Sequence, residues 1–226
     1  MPMLLPLTPL LGVYVGRPAK LPDGRRSSIV KQRVQGPLQL TLTGLDGDKV
    51  ADARIHGGAE MALHHFPAEH FAGWAQQWSE IAAALVPGSI GENISALGLT
   101  EDNVHIGDVF RWGEAEIEVN QPRMPCIKIN SRYAVQGLAE AIMQAGRCGW
   151  YLRVLRAGEV RADQPLQHLE RPAGSISLAT FWEVQNAHRP GIERLQQVAE
   201  APALADKWRR RFRQRIQWLQ RNDAGP

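Results

Sequence analysis

Apolar and polar residues alternate over several short stretches of this 226-residue chain, the two-residue period of half-buried strands. Residues 10–16, 29–34, 37–43, 61–66, 104–112, 115–119 and 149–156 are expected as strands, with a hairpin around Gly113. Two stretches follow the helical period instead. Residues 67–85 place Phe71, Trp74, Trp78, Ile81 and Leu85 on one face, with Pro67 suited to the first turn. Residues 132–145 read as a second helix. Many short strands with few helices indicate a mainly β, α+β fold, barrel-like or orthogonally packed, over residues 1–165. Residues 166–174, with Pro172 and Gly174, read as a linker. Beyond it the period changes, and residues 178–187, 192–199 and 204–219 form a three-helix segment within 175–226.

Composition narrows the class. A 44% hydrophobic share with no long apolar run describes a globular chain, since a membrane span needs roughly 18–20 apolar residues. The apolar N-terminus lacks a basic flank and is broken by Pro2, Pro6 and Pro9, so export is not expected. Two cysteines without an export signal point to a reducing, cytoplasmic setting. The net charge of +3 is uneven: residues 175–226 hold nine Lys/Arg against five Asp/Glu, leaving 17 against 18 elsewhere. Basicity belongs to the tail, and nucleic acid is not an expected partner of the whole protein.

The stretch from Asn120 to Lys128 (NQPRMPCIK) is the strongest chemical candidate. Pro122 and Pro125 cannot donate ladder hydrogen bonds, so the strand before them ends and Cys126 sits on a stiff loop. Arg123 and Lys128 flank the thiol, and nearby cations favour thiolate. The ordinary alternative is a small buried hydrophobe, the expectation for Cys148. His56-Gly57-Gly58 combines an imidazole with glycines that allow close backbone approach, although a plain tight turn explains the segment alone. His64, His65 and His70 lack the spacing of a structural zinc site, and Asp46, Asp48 and Asp52 lack the glycine and closing Glu of a calcium loop, which leaves a hairpin turn. No dinucleotide fingerprint, phosphate loop or nucleophile elbow is present. The last helix interleaves Lys207, Arg209, Arg210, Arg211, Arg213 and Arg215 with Trp208, Phe212, Ile216 and Leu219, a packed face with a charged one opposite.

In order, Gly44-Leu45-Asp46-Gly47-Asp48, His56-Gly57-Gly58, Pro87-Gly88, Gly91-Glu92-Asn93, Ile106-Gly107-Asp108, Gln121-Pro122-Arg123 and Pro125-Cys126 resemble the MOSC domain family over roughly residues 10–165. With the three-helix continuation the chain is similar to the bacterial YiiM type of that family, linked to resistance against N-hydroxylated base analogues. The resemblance implies a β-barrel-like fold and a pterin-based molybdenum cofactor (molybdopterin) bound through Cys126. It also implies reduction of N-hydroxylated bases such as hydroxylaminopurine, with electrons from a separate flavin- or iron–sulfur-containing reductase. Arg26, Ser27, Lys31, Arg54, Gly57, Asn93 and Arg123 are then the expected cofactor-binding residues, and Cys126 and His56 the catalytic ones. The chain departs from the related mitochondrial amidoxime reductases at Gly91, where they carry a basic residue, and Arg54 is the expected substitute. Two other functions remain open from the residues: a sulfur carrier using a Cys126 persulfide, and a non-catalytic cofactor-binding protein. A homodimer is also left open.

Overall fold

The structure, a computed structural model, describes residues 4–53 and 56–223. The chain opens with β1 (Leu10–Gly16), β2 (Ala19–Lys20), β3 (Arg26–Ser27), β4 (Lys31–Val34), β5 (Pro37–Thr41) and β6 (Gly44–Leu45). β7 (Leu63–Pro67) leads into α1 (Glu69–Gln77), a 3-10 segment at Ser79–Ala84 and β8 (Ile94–Ala96). The hairpin of β9 (Val109–Trp112) and β10 (Ala115–Pro122) is followed by α2 (Lys128–Tyr133), α3 (Leu138–Gln144), β11 (Trp150–Arg156), β12 (Gly158–Arg161) and β13 (Leu166–Glu170). Three helices close the chain: α4 (Leu178–Asn186), α5 (Ile192–Glu200) and α6 (Asp206–Asp223).

Eight strands form one curled sheet in the order β13-β9-β10-β11-β7-β8-β1-β4. It is a half-barrel, antiparallel except where β7 and β8 run parallel. Its core holds Phe66, Phe110, Trp112 and Trp150, all essentially without exposure. No helix among the described residues is long and apolar enough to cross a membrane.

β10 alternates Ala115, Ile117 and Val119 inward, as its sequence dictates, then stays buried through Asn120, Gln121 and Pro122. A bulge falls between Val119 and Gln121, and the Asn120 carbonyl accepts from Ala205 N–H at the tail. Pro122 occupies the last rung, opposite Trp150. The strand ends there because proline has no N–H to continue the ladder.

Three local expectations need correction. The helix expected over 132–145 is two helices, α2 and α3, separated where Ala134 (φ 53°) and Gly137 (φ 82°) turn left-handed. Asn130 stabilises that break, accepting from Ala139 N–H and donating to Glu140. Pro67 ends β7 rather than starting a helix, and α1 stops at Trp78, whose extended backbone (φ −118°, ψ 70°) breaks the expected run to Leu85. Residues 166–170, read as linker, form β13 on β9, because Leu166 and His168 are buried there while Gln167 is exposed. The tail packs an aromatic knot, Trp208 and Phe212 each edge-on to Phe181, and its buried residues continue the sheet's apolar core.

Beside that junction Asp108 is wholly buried. It accepts two hydrogen bonds from Arg171, at 2.7 Å each, and one from the His105 N–H. His168 lies 3.3 Å away, with its other ring nitrogen accepting from Leu5 N–H. Burial alone would raise the carboxyl, but bonding from Arg171, His168 and His105 outweighs it and holds Asp108 below the ordinary carboxylate value. A depressed carboxylate stabilises the fold above its unfolded-state pKa, and that contribution disappears as pH falls through the lower, folded-state value. Asp108→Ala strands a partly buried Arg171 and is expected to lower stability by about 3–5 kcal/mol at neutral pH. Urea melts should show that gap closing in acid; an undiminished gap there would refute the assignment.

Candidate active site

A cleft opens between β1, β4, β7 and the loop that follows β10. Its floor is a polar clamp. Asp48 accepts from the Gly16 N–H at 2.6 Å, from Lys31 Nζ at 2.8 and 2.7 Å, and from Asn93 Nδ2 at 2.8 Å. Asn93 also accepts from the His64 N–H at 3.0 Å and donates to the Tyr14 carbonyl at 3.2 Å. Lys31 is nearly enclosed, and desolvation lowers its pKa while Asp48 opposes the shift. Its ammonium is therefore already committed to an internal carboxylate.

Arg123 is 6% exposed. One guanidinium nitrogen donates to the Ile90 carbonyl at 3.2 Å, while Nη1 is buried with no hydrogen-bond partner among the described residues. The backbone behind it is fixed: Arg123 N–H donates to the Gly149 carbonyl at 3.0 Å, and Gly149 N–H donates to Glu101, itself 2.7 Å from His70. Gly149 must be glycine, since its φ is +68° and a Cβ would lie 2.1 Å from the His65 carbonyl oxygen. The Ile90 carbonyl is set by Glu92, a buried carboxyl that accepts from the Gly88 and Ile90 N–H groups. Burial raises the Glu92 pKa against those bonds.

Cys126, partly exposed, faces the same cleft as Arg123, Lys128, Tyr151, His56 and His64. Burial raises the Tyr151 phenol, with Arg123 opposing. His64 is buried, its Nε2 lacks a partner, and burial followed by Arg123 pushes its pKa well down, so the ring is neutral. Burial, then Lys128 and Arg123, lower His56 as well; Asp52 opposes, and Lys207 from α6 adds to the push.

Of the residues expected from sequence, Ser27, Lys31, His56, Gly57, Asn93, Arg123 and Cys126 line the cleft. Arg26 does not. It precedes Ser27 on β3, where successive side chains take opposite faces, so Ser27 is buried and Arg26 is exposed. Arg54 lies outside the described residues. Asp48, His64 and Tyr151 were missed. Asp48 stood in a recognisable motif but read as a turn, and nothing in the period of their strands marks His64 or Tyr151. Cys148 is structural, as expected: its thiol donates to the Ile142 carbonyl, and burial raises it far above an ordinary thiol.

The donor set suits a group that joins anionic oxygens to a thiophilic metal. Arg123 Nη1 is a buried donor without a protein acceptor, and a thiolate is a soft ligand. Gly91 keeps one wall close and flat, because a Cβ there would meet Ile29 at 2.9 Å.

A half-barrel carrying a lone cysteine beside an unpaired arginine, closed by helices, defines a class, and the comparisons agree with it. The MOSC domain matches residues 52–167, and the chain belongs to that family. Protein YiiM of Escherichia coli is 39% identical over 206 residues, covering 90% of each chain. Its crystal structure superposes with a TM-score of 0.78 at 33% identity, over 95% of this chain and 93% of that one. A Gibberella moniliformis protein named Reductase is 32% identical over 85% of this chain, which spans only 35% of that longer protein.

Removing one cation tests the electrostatics of the cleft. Lys128→Gln should raise the His56 pKa, leaving it still below its ordinary value because burial is the larger cause. Titration of the imidazole resonances by NMR reads this, and an unmoved pKa would show that Lys128 does not bear on His56.

Proposed function

We propose that this chain is an oxidoreductase that holds a molybdenum–pterin cofactor through Cys126 and reduces N-hydroxylated bases with electrons from a separate reductase. The observation that carries this is the pairing, in one cleft, of the Cys126 thiol with a buried Arg123 nitrogen that has no acceptor among the described residues. Family membership, the likeness to YiiM and the relative named Reductase support it.

When bound, the cofactor supplies two-electron redox chemistry at a metal that accepts oxygen. The chain's residues supply the rest. The Cys126 sulfur is the metal ligand. Arg123, with Ser27 and Lys128 near it, offers charge-assisted and hydroxyl donors to the pterin phosphate. Lys31 neutralises Asp48, so that this carboxylate does not repel an anion. Asn93, clamped on three sides, keeps the floor rigid. Cleaving an N–O bond to amine and water takes two electrons and two protons. His56 is a proton donor placed at the cleft wall. Burial first, then Lys128 and Arg123, lower its affinity for a proton, and an anion bound beside Arg123 would oppose that shift.

Protein purified anaerobically from a host that makes the cofactor is expected to carry near-stoichiometric molybdenum and pterin. Cys126→Ser should lose the metal while retaining its circular dichroism and melting temperature. A variant that keeps its molybdenum would sink the ligand assignment. Well-folded wild-type protein with neither metal nor pterin, but with a sulfane-sulfur mass adduct on Cys126, would establish the sulfur-carrier function instead.

A further inference from the structure

We propose that the outer face of α6 is the docking surface for the electron donor, a protein with an acidic surface around a flavin or iron–sulfur group. This rests on the reductase function proposed above. The cations of α6 fall into two groups. Arg209 and Arg215 belong to the fold. Arg209 donates to the carbonyls of Ala199, Ala201 and Leu204 at the end of α5. Arg215 does the same for Val184, Gln185, Ala187 and His188 at the end of α4. Both satisfy carbonyls that a helix terminus leaves open.

Arg210, Arg211 and Arg213 have no such use. All three are exposed and form no ion pair among the described residues; Arg211 lies over the Trp208 ring at 5.1 Å. Lys207, Arg210, Gln214 and Trp218 lie on the side of the helix away from Trp208, Phe212, Ile216 and Leu219, with Arg211 and Arg213 on its two flanks, as the 3.6-residue period requires. Trp218 is 54% exposed within this basic row, and Trp and Arg are the residues enriched in protein interfaces. On α6, acidic residues occur only at Asp206 and Asp223, its two ends. Like charges three and four residues apart on one helix, such as Lys207 with Arg210 and Arg211, repel, which the packing of the helix does not require.

Lys207, in the first turn of α6, adds to the positive charge that lowers the His56 pKa after burial, Lys128 and Arg123. The tail is fixed to β10, the strand leading to Arg123 and Cys126, through Ala205 N–H on the Asn120 carbonyl, and to β11 through Arg153 on the Ala203 carbonyl. A negatively charged protein seated on α6 would thus lie beside the cleft mouth. Charge complementarity selects it and speeds its arrival.

The test compares two electron sources for the full-length, cofactor-loaded protein acting on 6-N-hydroxylaminopurine. Reduced methyl viologen, a small cation, needs no docking surface, whereas reduced flavodoxin and plant-type ferredoxin are small acidic proteins. Arg210→Glu/Arg211→Glu should raise the KM for the acidic donor by about tenfold and flatten its salt dependence. Viologen-driven turnover should not change, and Arg210→Gln/Arg211→Gln should fall between. If viologen drives turnover but neither acidic protein does, or either works equally well with the reversed charges, the docking surface is refuted while the reductase function stands. No viologen-driven turnover by loaded wild-type protein would overturn both. Binding to a short DNA duplex at physiological salt, abolished by the same variants, would overturn docking in favour of nucleic acid.

Discussion

The cleft depends on one partly buried carboxylate. Asp48 gathers a backbone N–H from β1, the ammonium of Lys31 at the start of β4 and the amide of Asn93 before β8. Those three groups belong to neighbouring strands of a curled sheet, and curling alone would leave their polar atoms facing an apolar core. An ammonium without Asp48 would face desolvation with no opposing charge, a costly arrangement. With Asp48 present, the floor is polar, rigid and close to neutral. The remaining positive charge of the cleft lies at Arg123 and Lys128. The division is between an ion pair that builds the cleft and cations that form no ion pair among the described residues.

Legibility from sequence followed the same division. Strands with strict alternation, such as residues 37–41 and 115–119, were readable because one face is core and the other is not. The tail helices were readable from their period and their Pro and Gly breaks. What could not be read depended on partners distant in the chain. Residues 166–170 became strand because β9 offered an edge. The helix expected at 132–145 broke because Asn130 caps a second helix. In the site, Cys126, Arg123, His56 and Asn93 were accessible through their residue types and the family resemblance. Asp48, His64 and Tyr151 acquire meaning only when β1, β7 and β11 come together, a fact no local pattern records.

The boundary between sheet and tail is better described as a seam than as a hinge. Buried side chains run across it without a gap. Asp108 and Arg171 tie the strand side to the connecting segment, and the bulge at Asn120 turns a ladder carbonyl towards the tail. The same bulge precedes the Cys126 loop by a few residues, so the strand that ends in the cleft is also the strand that receives the helices.

The tight contact at Gly91 also limits the sequence changes open to this fold. Its positive φ and the 2.9 Å separation from Ile29 mean that any side chain there must displace a buried isoleucine and strain the backbone. A substitution at position 91 would need a compensating change at position 29, along with a new path for the turn between Gly88 and Asn93, and epistasis between those two positions would be the trace of that constraint.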